Sequence, residues 1–135
     1  MTESIYELIK RHEGLRLKPY KCTAGKLTIG VGRNLDDNGI SEDEAMMMLH
    51  ADVHRCIDSL HAFSWFHTLN EVRQNALIDM VFNLGITRFR KFKKMIAALE
   101  IGDYGKAADE AQDSAWFNQV GQRAVEVCAM IRHGV

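Results

Sequence analysis

Residues 11–32 read RHEGLRLKPYKCTAGKLTIGVG and place three reactive side-chain types in one short stretch: the Glu13 carboxylate, the Cys22 thiol and the Thr28 hydroxyl. Glu13 follows Ile9 by four residues and so extends the apolar stripe of Ile5, Leu8, Ile9 and His12 to the end of a helix that Gly14 stops. Partial burial there would disfavour the charged carboxylate and raise its pKa, which suits a general acid near neutrality. The competing reading is a helix-end glutamate paired with a base. Cys22 offers a thiolate as nucleophile or base, against the commoner role of a free cysteine as a small buried hydrophobe. Lys18 and Lys21 would favour the thiolate, although strand alternation turns Lys21 to the other face. Thr28 is either a good strand former or a hydroxyl beside a bare surface.

Residues 26–32 alternate: Leu27, Ile29 and Val31 form an apolar face, while Lys26, Thr28, Gly30 and Gly32 form the other. The glycines on that second face let a ligand or another backbone come close. Thr23–Gly25 suits a hairpin turn after a strand near residues 17–22, and DDNG at 36–39 is a second turn signal. Ser41 and Glu44 match a capping box that opens a helix to about residue 61, long enough to serve as a spine between two halves. Thr68 and Glu71 repeat the pattern before an apolar stripe from Val72 to Leu84 that Gly85 closes. Further helices are expected at 89–101, 104–113 and 120–132, with AWFNQ at 115–119 as a helix junction.

A chain of 135 residues is expected to form one domain with a core of its own. Its net charge of −1 and pI near 6.6 argue against nucleic acid as the partner, since phosphate recognition leaves a basic excess. Locally, Arg88, Arg90, Lys91, Lys93 and Lys94 cluster, which reads as a solvated surface able to lean on an anionic polymer. Three cysteines at unrelated spacings point to a reducing compartment rather than a disulfide framework. The N-terminal segment lacks the pattern of a signal peptide or a membrane span. His50, His54 and His61 recur at helical spacing without a confirming carboxylate, so no metal and no cofactor are expected. Residues 30–32, GVG, do not complete a dinucleotide fingerprint.

EGLRLKPYKCTAGKLTIGVG resembles the active-site segment of bacteriophage lysozymes of the T-even type, in which a glutamate, an aspartate or cysteine, and a threonine recur at the spacing of Glu13, Cys22 and Thr28. The likeness continues through NGISEDEA (38–45), RQNALIDMVFNLG (73–85) and AWFNQVGQRA (115–124). It implies an α+β, mostly helical, two-lobed fold, with a small β-hairpin lobe at about 14–60 and a helical lobe of 1–13 plus 61–135. It also implies hydrolysis of the β-1,4 bond between N-acetylmuramic acid and N-acetylglucosamine in peptidoglycan. By resemblance Glu13 is the general acid, Cys22 activates water or stabilises the transition state, Thr28 places that water, and Arg123 pairs with the catalytic glutamate. Phe82, Asn34 and Gly32 fall at substrate-contact positions. Arg33 and Asn34 depart from the histidine and leucine common in the family, so a familiar ion pair is absent or rebuilt. The expected setting is synthesis in a host cytoplasm, release by a holin or another route, and action as a monomer on the wall, with no stable membrane association. The alternative is a wall-binding domain that keeps the cleft and has lost turnover.

Overall fold

The computed structural model describes residues 2–135. The first helix, α1 (Ile5–Glu13), opens where Ser4 accepts the Glu7 N–H at 3.1 Å and closes where Gly14, at φ 81°, donates its N–H to the Lys10 carbonyl. A three-stranded antiparallel sheet follows in the order β1 (Arg16–Lys21), β2 (Leu27–Gly30) and β3 (Arg33–Asn34). The expected hairpin is present. Its register pairs Tyr20 with Thr28 and Lys21 with Leu27, with an irregularity between Arg16 and Tyr20. The third strand was not foreseen, because two residues carry no periodicity to read.

Where DDNG suggested a turn, the chain makes the short helix α2 (Leu35–Asn38), with Asn34 as its N-cap and Gly39 at φ 56° ending it. The long helix α3 (Glu42–Leu60) begins with the expected capping box. The Ser41 hydroxyl accepts the Glu44 N–H at 3.1 Å, and Glu44 Oε1 accepts the Ser41 N–H at 2.9 Å.

The chain divides into two compact units, Met1–Met47 and Met48–Val135, with the division inside α3. In this division α1 groups with the smaller unit, and most of α3 with the larger one.

The smaller unit has no buried hydrophobic side chain among its described residues; its one buried residue is Thr28, at 3% exposure. This reverses the expected sheet polarity. Leu27 and Val31, on the apolar face, are exposed, whereas Thr28 lies on the central strand with Tyr20 opposite it on one side and Asn34 on the other. Cross-strand neighbours on both sides cover it.

The larger unit is organised by apolar burial. A short 3-10 helix (Ser64–Thr68) leads into α4 (Glu71–Leu84), α5 (Ile86–Phe89), α6 (Lys93–Glu100), α7 (Tyr104–Gln112), α8 (Ala115–Val120) and α9 (Gln122–His133). Helix α9 packs on α4 and α7, and α6 on α7, around a core that includes Leu60, Leu77, Met80, Phe89, Leu99 and Ile131. The cap of α4 is Asn70, which accepts the Arg73 N–H at 2.9 Å, and not Thr68. The Thr68 hydroxyl instead donates to the Trp65 carbonyl within the 3-10 helix. The helix expected at 89–101 starts later, as α6, because the chain breaks at 90–92 after the separate short helix α5. At 3.6 residues per turn an unbroken helix would point Phe89 and Met95 in different directions, and the break buries both. The AWFNQ segment is helix α8, whose buried Trp116 donates its Nε1–H to Asn83 Oδ1 at 2.9 Å.

Candidate active site

The small unit supplies two contacts between the residues whose types suggested chemistry. The first joins the end of α1 to the glycine turn after β2. A Cβ built on Gly32 would lie 2.9 Å from Glu13 Oε2 and 3.1 Å from the carboxylate carbon. The carboxylate therefore rests in the space that a side chain at position 32 would fill. Gly32 also has φ 69°, a conformation that disfavours any other residue. Glycine is required here twice, once for the turn and once for the acid.

Glu13 itself is exposed, which corrects the half-sheltered position expected from the helix stripe. The reason lies in α1, where Ile5 and Ile9 are exposed too and no residue of the helix is buried. An apolar stripe indicates which residues share a face; it does not by itself bury them.

The second contact is at the hairpin tip. The Cys22 N–H donates to the Lys26 carbonyl at 2.9 Å, and the Gly25 N–H donates to the Cys22 carbonyl at 2.8 Å. The Thr28 hydroxyl donates to the same Lys26 carbonyl at 2.9 Å. This tight turn aims amides at the Cys22 sulfur. The Lys26 backbone N–H, followed by that of Ala24, draws the thiol pKa below its ordinary value; partial burial opposes them, and the Thr28 hydroxyl adds a smaller downward pull. Sequence reasoning looked to the Lys18 and Lys21 ammonium groups, but backbone amides do this work. The Lys26 ammonium is engaged elsewhere, 3.1 Å from Asp37. Thr28 has one hydroxyl proton, so it can serve the Lys26 carbonyl or a Cys22 thiolate, but not both at once.

The other two cysteines have free thiols of opposite character. Burial pushes Cys56 up, with the Asp52 carboxylate adding to it, and burial also pushes Cys128 up. Cys22 is thus the most readily ionised thiol of the three.

Asn34 is occupied as a helix cap. Its Oδ1 accepts the Asp37 N–H at 3.0 Å and its Nδ2 donates to Asp37 Oδ2 at 2.9 Å. Beside it, Arg33 makes a two-pronged ion pair with Glu44, at 2.9 and 2.7 Å, and also donates to the Gly39 carbonyl. The arginine that stands at this position thus makes its ion pair inside the small unit. Arg33 and the Ser41 cap together hold the Glu44 carboxyl at about 2.

Two expected site residues lie in the larger unit. Arg123 donates to Asp79 Oδ1, so the ion pair that it makes is with a carboxylate on α4. Sequence reasoning missed Asp79, although a lone carboxylate within LIDMVF was the available signal. Phe82 is 43% exposed on a helix whose other large apolar residues are mainly covered. It borders a groove of about 480 Å³ that also holds Asp52, Arg55 and Cys56.

Comparison with known proteins places the chain in a family. The family model for phage lysozyme matches residues 10–132. The chain belongs to the phage lysozyme family. It is 36% identical to an endolysin of Acyrthosiphon pisum secondary endosymbiont phage 1, over 82% of this chain and 76% of that protein. It is 29% identical to a probable T4-type lysozyme of Dictyostelium discoideum, over 99% of this chain and 96% of the other. It is also 33% identical to the pre-baseplate central spike protein Gp5 of Enterobacteria phage T4 over 97% of its own length, but spans only 28% of that protein. This lysozyme-family chain is mostly helical, with one small antiparallel sheet. Among its described residues no group of three or more His, Cys, Asp and Glu side chains could share a metal ion, and no helix is long and apolar enough to cross a membrane.

Proposed function

We propose that this chain is a lysozyme of the endolysin type that hydrolyses the β-1,4 bond between N-acetylmuramic acid and N-acetylglucosamine in peptidoglycan, with lysis of a bacterial host as its role. The observation that carries the reading is the seat of Glu13 against Gly32, in the same compact unit as the Cys22–Thr28 hairpin. The family membership supports it.

In this reading Glu13 is the general acid. Its exposure in the free protein means that the glycan itself must shelter it. A sugar covering the carboxyl group removes water from around it and lets it hand its proton to the departing glycosidic oxygen. As that oxygen takes the Glu13 proton, the C1–O bond breaks and positive charge develops at C1. Cys22 acts as the thiolate, stabilised by the turn amides, and takes a proton from the water that attacks C1. With Thr28 donating to the Lys26 carbonyl, its oxygen lone pairs remain to accept from that water. Attack by water yields inversion; attack by the sulfur itself would give a thioglycoside and retention. Within the larger unit itself, Arg123 pairs with Asp79 and Phe82 presents an exposed apolar face suited to a sugar ring. The enzyme reaches the wall by holin release or another delivery route and works there on glycan strands.

Clearing of permeabilised Gram-negative cells tests this reading. Glu13→Gln keeps the shape and removes the proton, so clearing should fall at least ~100-fold. Near-normal clearing by the folded variant would overturn the assignment.

A further inference from the structure

Four of the exposed basic residues of 88–94 share one concavity. Arg88, Lys91, Lys93 and Lys94 line an open groove of about 720 Å³ in the larger unit, and Glu110 is in the same lining. None of these four cations makes an ion pair among the described residues, whereas Arg33, Arg55, Arg123 and Arg132 elsewhere all do. In a protein of net charge −1, four unneutralised cations around one concavity are held together against their mutual repulsion. The break between α5 and α6 is what brings them there, since it buries Phe89 and Met95 and leaves the basic residues at the rim. The floor is apolar, formed in part by Phe92, Met95 and Trp116, with the Trp116 indole fixed by Asn83.

From this geometry we propose that the groove is a binding site for a phosphorylated saccharide. Such a ligand is distinct from the bond cleaved at the Glu13 site, and its binding does not depend on the catalytic reading. The charge excess selects the anion. One carboxylate carries a single charge, while a phosphate monoester carries about −1.5 to −2 at neutral pH and offers several acceptor oxygens. Arg88 supplies a planar fork for two of these, and the lysines supply point charges. The volume far exceeds that of a phosphate alone, and the apolar floor suits the face of a sugar ring. A phospholipid surface fits less well, because none of the exposed large apolar residues of this unit (Met48, Leu49, Phe82, Ile101, Val125 and Val135) lines the groove.

Calorimetric titration of the full chain with glucosamine 6-phosphate, glucosamine, inorganic phosphate, anionic phospholipid vesicles and a DNA duplex tests the proposal. Glucosamine 6-phosphate should bind at least ~10-fold more tightly than glucosamine or phosphate, and more tightly than vesicles or DNA. Its affinity should fall at least ~10-fold in Arg88→Gln/Lys94→Gln and also as salt rises. Arg88, Lys93 and Lys94 are exposed, so these variants should fold, and Lys93→Gln gives a second reading at a smaller loss. Equal binding of sugar and sugar phosphate, no change in the variants, or tighter capture of vesicles or DNA through the same residues would overturn it. Glu13→Gln should bind glucosamine 6-phosphate like the parent, which separates failure of this site from failure of the lysozyme reading.

Discussion

The two units of this chain are held together by different physics. Residues 48–135 bury a continuous apolar core, while residues 2–47 bury only Thr28 among their described residues. What organises the smaller unit is polar and local. Arg33 clasps Glu44, Lys26 meets Asp37, the Leu27 N–H donates to Asp36 at 2.7 Å, and helix caps close α1, α2 and α3. The candidate acid, thiol and hydroxyl all lie in this polar unit. Apolar burial defines a shape strongly but leaves little room for ionised groups, whereas hydrogen-bonded turns can hold reactive groups near water. The larger unit holds the apolar core, and the smaller one holds the candidate reactive groups.

That contrast breaks most visibly at Phe89, which is fully buried. Phe89→Ala should cost about 3–5 kcal/mol, lowering the urea midpoint of the larger unit. Denaturation followed by tryptophan fluorescence checks this, since Trp65 and Trp116 both lie in that unit.

Next in size is the thiol. Iodoacetamide near neutral pH should modify Cys22 before Cys56 and Cys128, because amides lower the first thiol while burial raises the other two. Modification of Cys22 alone, verified by peptide mass mapping, should reduce wall clearing at least ~100-fold; full activity after complete modification would remove Cys22 from the mechanism. The same assignment fixes the pH profile. Activity should rise as the thiol ionises, earlier than an ordinary thiol allows. Cys22→Asp should move the rising limb to lower pH.

Gly32→Ala probes the seat of Glu13. The new methyl would force the carboxylate aside and add about 1–2 kcal/mol of backbone strain at φ 69°. A displacement of this kind can cost on the order of 10²-fold in rate, so kcat should drop while the larger unit keeps its stability.

The smallest effect concerns Glu44. Its carboxyl is held at about 2 against an ordinary 4.5, so the folded state favours the ionised form. A depressed carboxylate stabilises the fold above its unfolded pKa. That contribution is lost as pH falls from about 4.5 towards 2. Glu44→Gln should therefore lower protection of the small unit in amide exchange at neutral pH, and the difference from the parent should shrink across that acid window.

How much of this could be read from the residues depended on the length of the signal. Long periodic segments gave α3, α4 and α9 to within a few residues, because many side chains report the same helical phase. The Ser41–Glu44 box was legible since its two hydrogen bonds need only that spacing. Short features were not. The two-residue β3, the helical turn at 35–38 and the break at 90–92 arise from caps and core packing that no local pattern encodes. At the site, the types and spacing of Glu13, Cys22 and Thr28 were visible, but their environments were not. Glu13 lost its expected shelter because α1 buries nothing, and Cys22 owes its lowered pKa to amides rather than lysines. Gly32 was visible as a close-approach glycine, although the group that approaches it is the acid itself.

The most direct test of the central claim is chemical analysis of purified peptidoglycan after digestion, comparing the parent with Glu13→Gln. New reducing ends on N-acetylmuramic acid should accumulate with the parent and be at least ~100-fold slower with the variant. Reducing ends on N-acetylglucosamine, cleaved peptide bonds alone, or equal rates for the two proteins would contradict the account.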